Sequence, residues 1–458
     1  MHFTKRRPEL RAARALGGLA LFIAGASAAS CSSNDGDPNP SPDPSPDAAP
    51  EAAPDADTDA GVVDAQAPRD AWVDVTALPV TCTGKPCATA LVTTLGAGSF
   101  DNGEGFCALL DDGTVACWGA NGAAQLGRDD GKKSVDSSSP ARVEGLSNIV
   151  AIDHTCALDK DGAVWCWGTG PFARDDEGAL TGETTTERTP VKLELPAATQ
   201  IAVGYGTACA VIGSEVHCWG SNTDGQLSPP SDRSEAVGGP RPMVLPAGAA
   251  VRALSVATAT FVLRDDGSLV TWGANPTIGR VSPMFPDPHP QLVAINGVFM
   301  ADLAENNACA IAGGTGWCWG APVVSPRPDN GSVTERAVPA PVVAPEPLVQ
   351  IATTRSYPLE FDGWQKYRWC GSAMSGAVYC WGSNESGQAG DGTQAYAFEA
   401  VKVQGLAGQA AQVKTTPTTT CALLTNGKIQ CWGSNFNGQL GNKQIKGRSF
   451  VPVEVVLP

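Results

Sequence analysis

The stretch CALLDDGTVACWGANGAAQLG, from Cys107 to Gly127, places two cysteines on either side of a short turn and follows the second with a Trp-Gly pair. A further segment, from Phe261, keeps the turn and the Trp-Gly pair but has Phe261 and Thr271 where the cysteines would stand. The remaining five copies of the cysteine-containing segment begin at Cys156, Cys209, Cys309, Cys370 and Cys421. The chain therefore contains seven versions of one unit.

The spacing of these units indicates a repeat fold. The Trp-Gly tryptophans follow one another at intervals of 47 to 62 residues, and a period in this range is typical of propellers, solenoids or arrays. Within each unit, apolar and β-prone residues flank turn sequences such as Asp-Asp-Gly and Asn-Gly, which favour tight hairpins. The 52 Gly and 36 Pro residues disfavour long helices. We predict an all-β fold, a seven-bladed β-propeller over residues 91–458.

The cysteine spacing predicts one disulfide in each unit that has cysteines. A separation of nine or ten residues fits a hairpin with a two- or three-residue loop, which places the cysteines opposite each other. Opposed residues at a non-hydrogen-bonded site have Cα atoms about 4.5 Å apart, a distance that a disulfide accepts. The unit from Phe261 lacks both cysteines together, as a bonded pair requires. The predicted pairs are Cys107–Cys117, Cys156–Cys166, Cys209–Cys218, Cys309–Cys318, Cys370–Cys380 and Cys421–Cys431, with Cys82–Cys87 in a small lead-in over residues 81–90.

Residues 1–30 have the features of a signal peptide. Basic residues come first, and the apolar run over residues 15–26 is too short to span a bilayer. Small residues then lead into Cys31, in a pattern that resembles a bacterial lipobox, where the cysteine is lipidated. Plain signal-peptide cleavage is the alternative, but the odd cysteine count favours lipidation of Cys31. Because many disulfides require an oxidising compartment, we predict an exported lipoprotein of the bacterial outer membrane or cell surface, facing the periplasm or the exterior.

Residues 31–80 are predicted to form a disordered acidic linker. They are rich in Pro, Asp and Ala, with too few apolar residues to compensate for the entropy lost on ordering. The formal net charge of the whole chain is −16, and no basic run follows the signal peptide. A protein that binds nucleic acid usually concentrates Lys and Arg on one face. We therefore expect no nucleic-acid partner, and contact with the membrane only through the N-terminal lipid.

The repeated unit resembles that of the regulator of chromosome condensation family. The resemblance rests on Cys-Ala-Leu, a turn with Asp-Gly or Asn-Gly, Cys-Trp-Gly and a final Gln-Leu-Gly, seen in residues 107–127 and 421–441, and it extends over residues 91–458. It implies a seven-bladed β-propeller. The family's eukaryotic founder is a nuclear exchange factor that docks on chromatin, roles carried by loops that this sequence does not match. Exported bacterial relatives include a β-lactamase inhibitory protein, which implies that such a ring can bind proteins.

The longest interval between Trp-Gly pairs contains a candidate binding loop. It has an insertion, YPLEFDGWQKYRW, directly before Cys370, where other units have only a few residues. Aromatic and cationic side chains of this kind are enriched in binding hot spots. The alternative is that the insertion packs on its own blade or over the mouth of the ring. The candidate residues are Tyr357, Phe361, Trp364, Lys366, Tyr367, Arg368 and Trp369.

Taken together, these features favour a binding or interaction scaffold at the cell envelope, monomeric, with protein or glycan partners on a loop face. The sequence has no nucleophile elbow, phosphate loop or histidine-metal motif, so we predict no catalytic residues, no metal and no cofactor. The alternatives are a propeller enzyme of the glycan hydrolase or lyase type, with carboxylates in the central channel, and a purely structural envelope protein.

Overall fold

The computed structural model describes residues 75–96, 103–129, 134–227, 237–320, 337–355, 358–359, 363–364 and 368–458. The predicted signal peptide, Cys31 and most of the predicted linker lie outside the described residues and remain predictions. In the part of the chain that the structure describes, no helical segment has the length and apolar character of a membrane span.

Seven four-stranded antiparallel sheets form the blades of a propeller, which confirms the predicted fold class. Blades 1 to 3 contain β1 (Ala88–Thr93), β2 (Gly105–Leu110), β3 (Val115–Gly119), β4 (Ser137–Arg142), β5 (Ile149–Asp153), β6 (Cys156–Asp159), β7 (Val164–Gly170), β8 (Thr185–Lys192), β9 (Ala198–Val203), β10 (Thr207–Ile212), β11 (Glu215–Ser221) and β12 (Val237–Pro242). Blades 4 and 5 contain β13 (Val251–Val256), β14 (Ala259–Arg264), β15 (Leu269–Gly273), β16 (Asp287–Leu292), β17 (Val298–Ala304), β18 (Asn307–Ala312), β19 (Thr315–Gly320) and β20 (Ala340–Val342).

Blade 6 differs from the others by an added hairpin. It contains β21 (Leu348–Thr353), β24 (Arg368–Ala373), β25 (Val378–Gly382) and β26 (Ala397–Lys402), and the two-stranded hairpin of β22 (Pro358–Leu359) and β23 (Gly363–Trp364) lies between its first two strands in sequence. Blade 7 contains β27 (Ala410–Thr415), β28 (Thr419–Leu424), β29 (Ile429–Ser434) and β30 (Arg448–Glu454). Each blade is thus one continuous segment of the chain.

The hairpin between the second and third strands is the unit that the sequence repeats. In blade 1 the turn is closed by the Gly113 amide, which donates to the Leu110 carbonyl, and Gly113 has a φ of 74° that favours glycine. Cys107 then lies opposite Cys117 in the register of β2 and β3. All seven predicted pairs are found as disulfides. The six hairpin pairs have Cα atoms 4.0 to 4.1 Å apart, slightly closer than expected.

Blade 4 shows what replaces a disulfide. Phe261 lies opposite Thr271 at the position of the cysteines. The Phe261 ring is buried and stacks on Trp319 of the next blade, with ring centroids 5.9 Å apart. An aromatic side chain therefore fills the space that a disulfide occupies elsewhere, and it adds contact between blades.

Six of the Trp-Gly tryptophans each join their blade to the one before it. Trp118 of blade 1 donates its indole N–H to the Gln439 carbonyl of blade 7 at 2.8 Å. The same contact is made by Trp167, Trp219, Trp272, Trp319 and Trp432 with the carbonyls of Gln125, Pro171, Gln226, Thr277 and Gln388. These residues are buried, so each supplies a large apolar area and has its one polar atom paired.

The ring closes between blades 7 and 1 without a shared strand. The lead-in segment before β1 crosses to blade 7, where the Thr81 amide donates to the Thr425 carbonyl and the Ala88 amide to the Gly427 carbonyl. Val80 packs against the apolar cluster that blades 7 and 1 share. Closure therefore depends on side chains and loops at this junction.

Candidate binding face and central channel

The connections between the first and second strands of the blades all lie on one face of the ring, because every blade has the same antiparallel order. We call this the loop face; it also carries the connections between third and fourth strands. In five blades the first connection has only two or three residues, as in residues 154–155 and 416–418. In blade 1 it runs over residues 94–104 and in blade 6 over residues 354–367. These two long connections lie on either side of blade 7.

The blade 6 connection contains most of the predicted binding loop. Trp364 belongs to β23, which pairs with β22. The side chain of Trp364 and the whole of Tyr357, Phe361, Lys366 and Tyr367 lie outside the described residues. Their assignment to a binding surface remains a prediction.

The last two residues of that predicted loop, Arg368 and Trp369, lie in the body of blade 6. Arg368 is 1% exposed and Trp369 is 6% exposed, and both belong to β24. The ring of Trp369 packs beside Trp381 with centroids 5.7 Å apart. The physical reason is that β24 is an inner strand of blade 6, between β21 and β25, and all six of its residues are buried. A partner on the loop face cannot contact either side chain.

Arg368 holds the blade 7 connection from one side. Its guanidinium donates to the Thr416 and Thr419 carbonyls at 2.7 Å each and to the Thr420 hydroxyl at 2.7 Å. It also reaches the carbonyls of Pro417 and Gln388. Burial lowers the pKa of Arg368 from its usual value to about 9, a decrease that the Glu104 carboxylate opposes. The group therefore stays charged at neutral pH, with its N–H groups directed at carbonyl and hydroxyl oxygens.

Glu104 holds the same connection from the other side. It ends the long connection of blade 1, and its Oε2 accepts hydrogen bonds from Thr416 at 3.1 Å, from Thr418, and from Gln439 at 3.3 Å. Burial raises the pKa of Glu104 above its usual value, and the hydrogen bonds from Thr418 and Thr416 and the charge of Arg368 offset part of that rise. At the end of each long connection, a buried ionisable residue is therefore hydrogen-bonded to the threonine-rich segment of blade 7, residues 415–420.

The titration of Glu104 gives a testable pH dependence. Because its pKa is raised in the folded state, its contribution to stability is complete below the usual value of 4.5 and is lost as pH rises through the folded-state pKa. Glu104→Gln stays neutral, so its free energy of unfolding, relative to wild type, should increase from pH 4.5 upward. Urea unfolding of both proteins between pH 4 and 8 measures this difference. Parallel pH profiles would contradict the assignment.

The first strands of the blades line a central channel with a cavity of about 890 Å³. At every junction around it, a polar side chain bonds to the backbone of the neighbouring blade. In ring order the pairs are His154 Nδ1 with Thr93 O at 2.9 Å, Asp153 with Val203 N at 2.8 Å, Gln200 with Arg252 O at 3.0 Å, Arg252 with Phe299 O at 2.7 Å, Asp302 with Thr353 N at 2.8 Å, Gln350 with Val413 N at 2.5 Å and Gln412 with Leu91 N at 2.9 Å. The channel wall is therefore a closed circle of side-chain links.

The mouth of the channel on the loop face is crossed by Arg355 of blade 6. Its guanidinium carbon lies 5.5 Å from the centroid of the Tyr205 ring of blade 3, and its NH1 lies 3.8 Å from Oε2 of Glu305 of blade 5. Burial raises the pKa of Glu305, and Arg355 opposes that rise. Glu305 and His154 have positive φ values of 45° and 47° at equivalent turns, a conformation that costs energy for residues other than glycine. These groups form a polar and aromatic rim.

Besides Glu104 and Glu305, which also line the cavity, two carboxylates face the channel wall, as the alternative of a propeller enzyme requires. Asp302 is paired with Lys414 of blade 7 at 3.0 Å, and both Asp302 and Asp153 accept a backbone N–H from the next blade. Burial alone would lower the pKa of Lys414. The charge of Asp302 and its hydrogen bond with Lys414 outweigh this effect, so the pKa of Lys414 is raised. The hydrogen bonds that Asp302 and Asp153 form between blades account for the presence of both carboxylates in the channel. Among the described residues, no group of three or more His, Cys, Asp or Glu side chains is placed to hold a metal ion.

Sequence reasoning missed Glu104 and most of this rim. Glu104, Tyr205, Glu305 and Arg355 stand in connections whose lengths become visible only when strand ends are known. The one available signal was the long stretch between β1 and Cys107, which contains the turn residues Asp101, Asn102 and Gly103. Comparing its length with that of the other units would have indicated a second insertion.

The fold and its repeated hairpins define a seven-bladed β-propeller whose variable part is one face around a channel mouth. The model of the regulator of chromosome condensation (RCC1) repeat matches residues 152–172 and 412–439. These two segments match the repeat of that family, and the chain has the seven-bladed propeller fold that the sequence resemblance implied.

Solved structures share this fold. Yeast RCC1 (Prp20), solved bound to Kap60, is 17% identical with a TM-score of 0.60, over 84% of this chain and 88% of that one. Human WBSCR16 is 17% identical with a TM-score of 0.61, over 75% of this chain and 94% of that one.

The E3 ubiquitin-protein ligase HERC2 of Homo sapiens is similar in sequence: it is 28% identical over 358 residues, which cover 72% of this chain. The match spans only 7% of the length of HERC2.

Proposed function

We propose that this protein is an exported, lipid-anchored scaffold of the bacterial cell envelope that binds a protein partner on its loop face. The observation that carries the proposal is the placement of the two long connections, residues 94–104 and 354–367, on one face on either side of blade 7. In five blades the connection between the first and second strands has only two or three residues, so the added length is not needed to form a blade. Loops that vary on a constant scaffold are the usual place for binding.

The contacts at the ends of these two connections support the proposal. Arg368 and Glu104 fix the two ends against blade 7 through buried hydrogen bonds. A loop held this way loses less conformational freedom when it binds, which favours affinity. The Kap60 complex of yeast RCC1 supports a protein as the partner class, because it is a relative of the same fold seen with a bound protein.

Export and anchoring rest on three features. Seven disulfides are typical of an oxidising compartment. Residues 1–30 have the pattern of a signal peptide, and Cys31 follows small residues as in a lipobox. In this proposal the acidic linker, residues 31–80, acts as a tether between the lipid and the ring.

Shortening the blade 6 connection tests the binding face. Residues 356–367 are replaced by Gly-Ser in a chain that also carries Cys31→Ala, which the proposal predicts to be soluble. We expect at least tenfold weaker capture of the partner from envelope extracts and a thermal transition within a few degrees of the parent, because Arg355 and Arg368 are retained. The measurements are quantitative pull-down and calorimetry.

The matched control changes exposed apolar residues on the opposite face, with Val244→Ser and Val343→Ser, and should leave capture unchanged. Full capture by the shortened chain would overturn the binding face. A collapsed thermal transition would instead support the packing alternative for this loop. If the parent chain captures only glycans, the partner class is wrong.

A further inference from the structure

The turn after the third strand has the same sequence pattern in four blades, so the residue at its tip can be compared between them. The turn Asn-x-x-Gly/Ala-Gln occurs in blades 1, 3, 6 and 7, and the residue after its Asn is exposed in each. That residue is Gly122, Thr223, Glu385 or Phe436. Since glycine, threonine and glutamate serve equally well, the fold does not need an apolar side chain here. Phe436 is nevertheless 87% exposed.

The loop that presents Phe436 is held in one conformation by hydrogen bonds. Asn435 Oδ1 accepts from the Leu440 amide at 2.9 Å, and its Nδ2 donates to the Ile445 carbonyl at 2.6 Å. The Asn435 amide donates to the Gly447 carbonyl at 2.7 Å. These bonds on either side of residue 446 place Lys446 on the segment next to Phe436. The aromatic ring is therefore offered to solvent from a preorganised loop.

The same loop concentrates positive charge on an acidic protein. Lys443, Lys446 and Arg448 are exposed, and within the described residues none of them forms an ion pair. Arg448 lies 5.7 Å from the centroid of the Phe450 ring and donates to the Glu385 carbonyl. The Asp136 carboxylate is bonded to this loop and accepts N–H groups from Asn437 and Asn121.

We infer that Phe436, Lys446 and Arg448 form a docking patch for a protein partner with an apolar pocket bordered by carboxylates. Phe436 is the anchor that enters the pocket, and the two cations face the acidic border. This inference rests on the proposed function and names the chemistry of its partner. Exposed aromatic and arginine side chains are the residues that most often carry binding energy, and complementary charge speeds association.

Charge argues against the other macromolecules that a basic, aromatic patch can contact. The net charge of −16 repels nucleic acid and anionic membranes at long range. Three cations in one loop neutralise few phosphates, whereas a nucleic-acid site usually extends along a basic face. A protein pocket needs contact with the patch alone.

The test uses the soluble full chain that carries Cys31→Ala, with Phe436→benzoylphenylalanine as a photo-crosslinking probe in envelope extract. We expect one protein adduct, whose crosslinked segment is acidic and apolar. Phe436→Glu, which installs the blade 6 residue, should weaken binding of that protein at least tenfold. Lys446→Glu with Arg448→Glu should slow association and reduce its dependence on salt.

Phe285→Glu is the matched control, because Phe285 is also on the loop face and is 70% exposed. It should bind normally, and all variants should keep the parent thermal transition. Normal binding by Phe436→Glu, an equal loss with Phe285→Glu, no adduct, or adducts only with nucleic acid or phosphatidylglycerol vesicles would each overturn the patch. If shortening residues 356–367 abolishes capture while Phe436→Glu does not, the proposed function stands and only this inference fails.

Discussion

Replacing Arg368 by methionine is expected to lower the free energy of unfolding by about 3 to 5 kcal/mol, the range seen when one of two interacting buried charges is removed. The substitution removes the charged donor from the Thr416 and Thr419 carbonyls and leaves Glu104 buried without the opposing charge. Methionine retains most of the side-chain volume, so cavity formation contributes little. Urea unfolding at pH 7 measures the change.

A double substitution separates charge from packing. Arg368→Met combined with Glu104→Gln removes both charges, and we expect it to be more stable than Arg368→Met alone. The reason is that the uncompensated buried carboxylate is gone. A double variant whose loss equals the sum of the two single losses would show that the charges of Arg368 and Glu104 are not coupled through the blade 7 segment.

Removing one hairpin disulfide should have the second largest effect on a single blade. Cys107→Ala with Cys117→Ala opens a ring of ten residues, for which loop entropy predicts a loss of about 2 to 3 kcal/mol. The protein should still fold, because blade 4 folds with Phe261 and Thr271 at these positions. Full reduction should remove this contribution in six blades at once and unfold the ring. Thermal unfolding with and without reductant measures both effects.

Blade 4 also supplies the control for this prediction. Phe261→Cys with Thr271→Cys places two cysteines directly opposite each other in β14 and β15. This change should add a disulfide but lose the Phe261 contact with Trp319, so its net gain should be smaller than the loss in blade 1. A ring whose unfolding is insensitive to reductant would contradict the view that the hairpin disulfides stabilise the fold.

The predicted binding loop shows where sequence reasoning reached its limit. Its residues form one aromatic and cationic run in sequence, yet Arg368 and Trp369 are buried in β24. The sequence pattern does not mark where a loop becomes a strand, because aromatic and arginine side chains suit both a binding surface and a paired, buried strand. In contrast, Phe436 stands in a turn that fits the family repeat, so nothing in its own unit drew attention to it.

The sequence by itself determined the number of blades, the hairpin turns and all seven cysteine pairs. These depend on local spacing and turn chemistry, which repeat and can be compared along the chain. Only the tertiary structure decided which side chains meet across blades. Glu104 of blade 1 and Arg368 of blade 6 both contact blade 7, and Arg355 meets Tyr205 across the channel. These contacts join residues far apart in sequence, and their partners are set by ring closure, which no local pattern records.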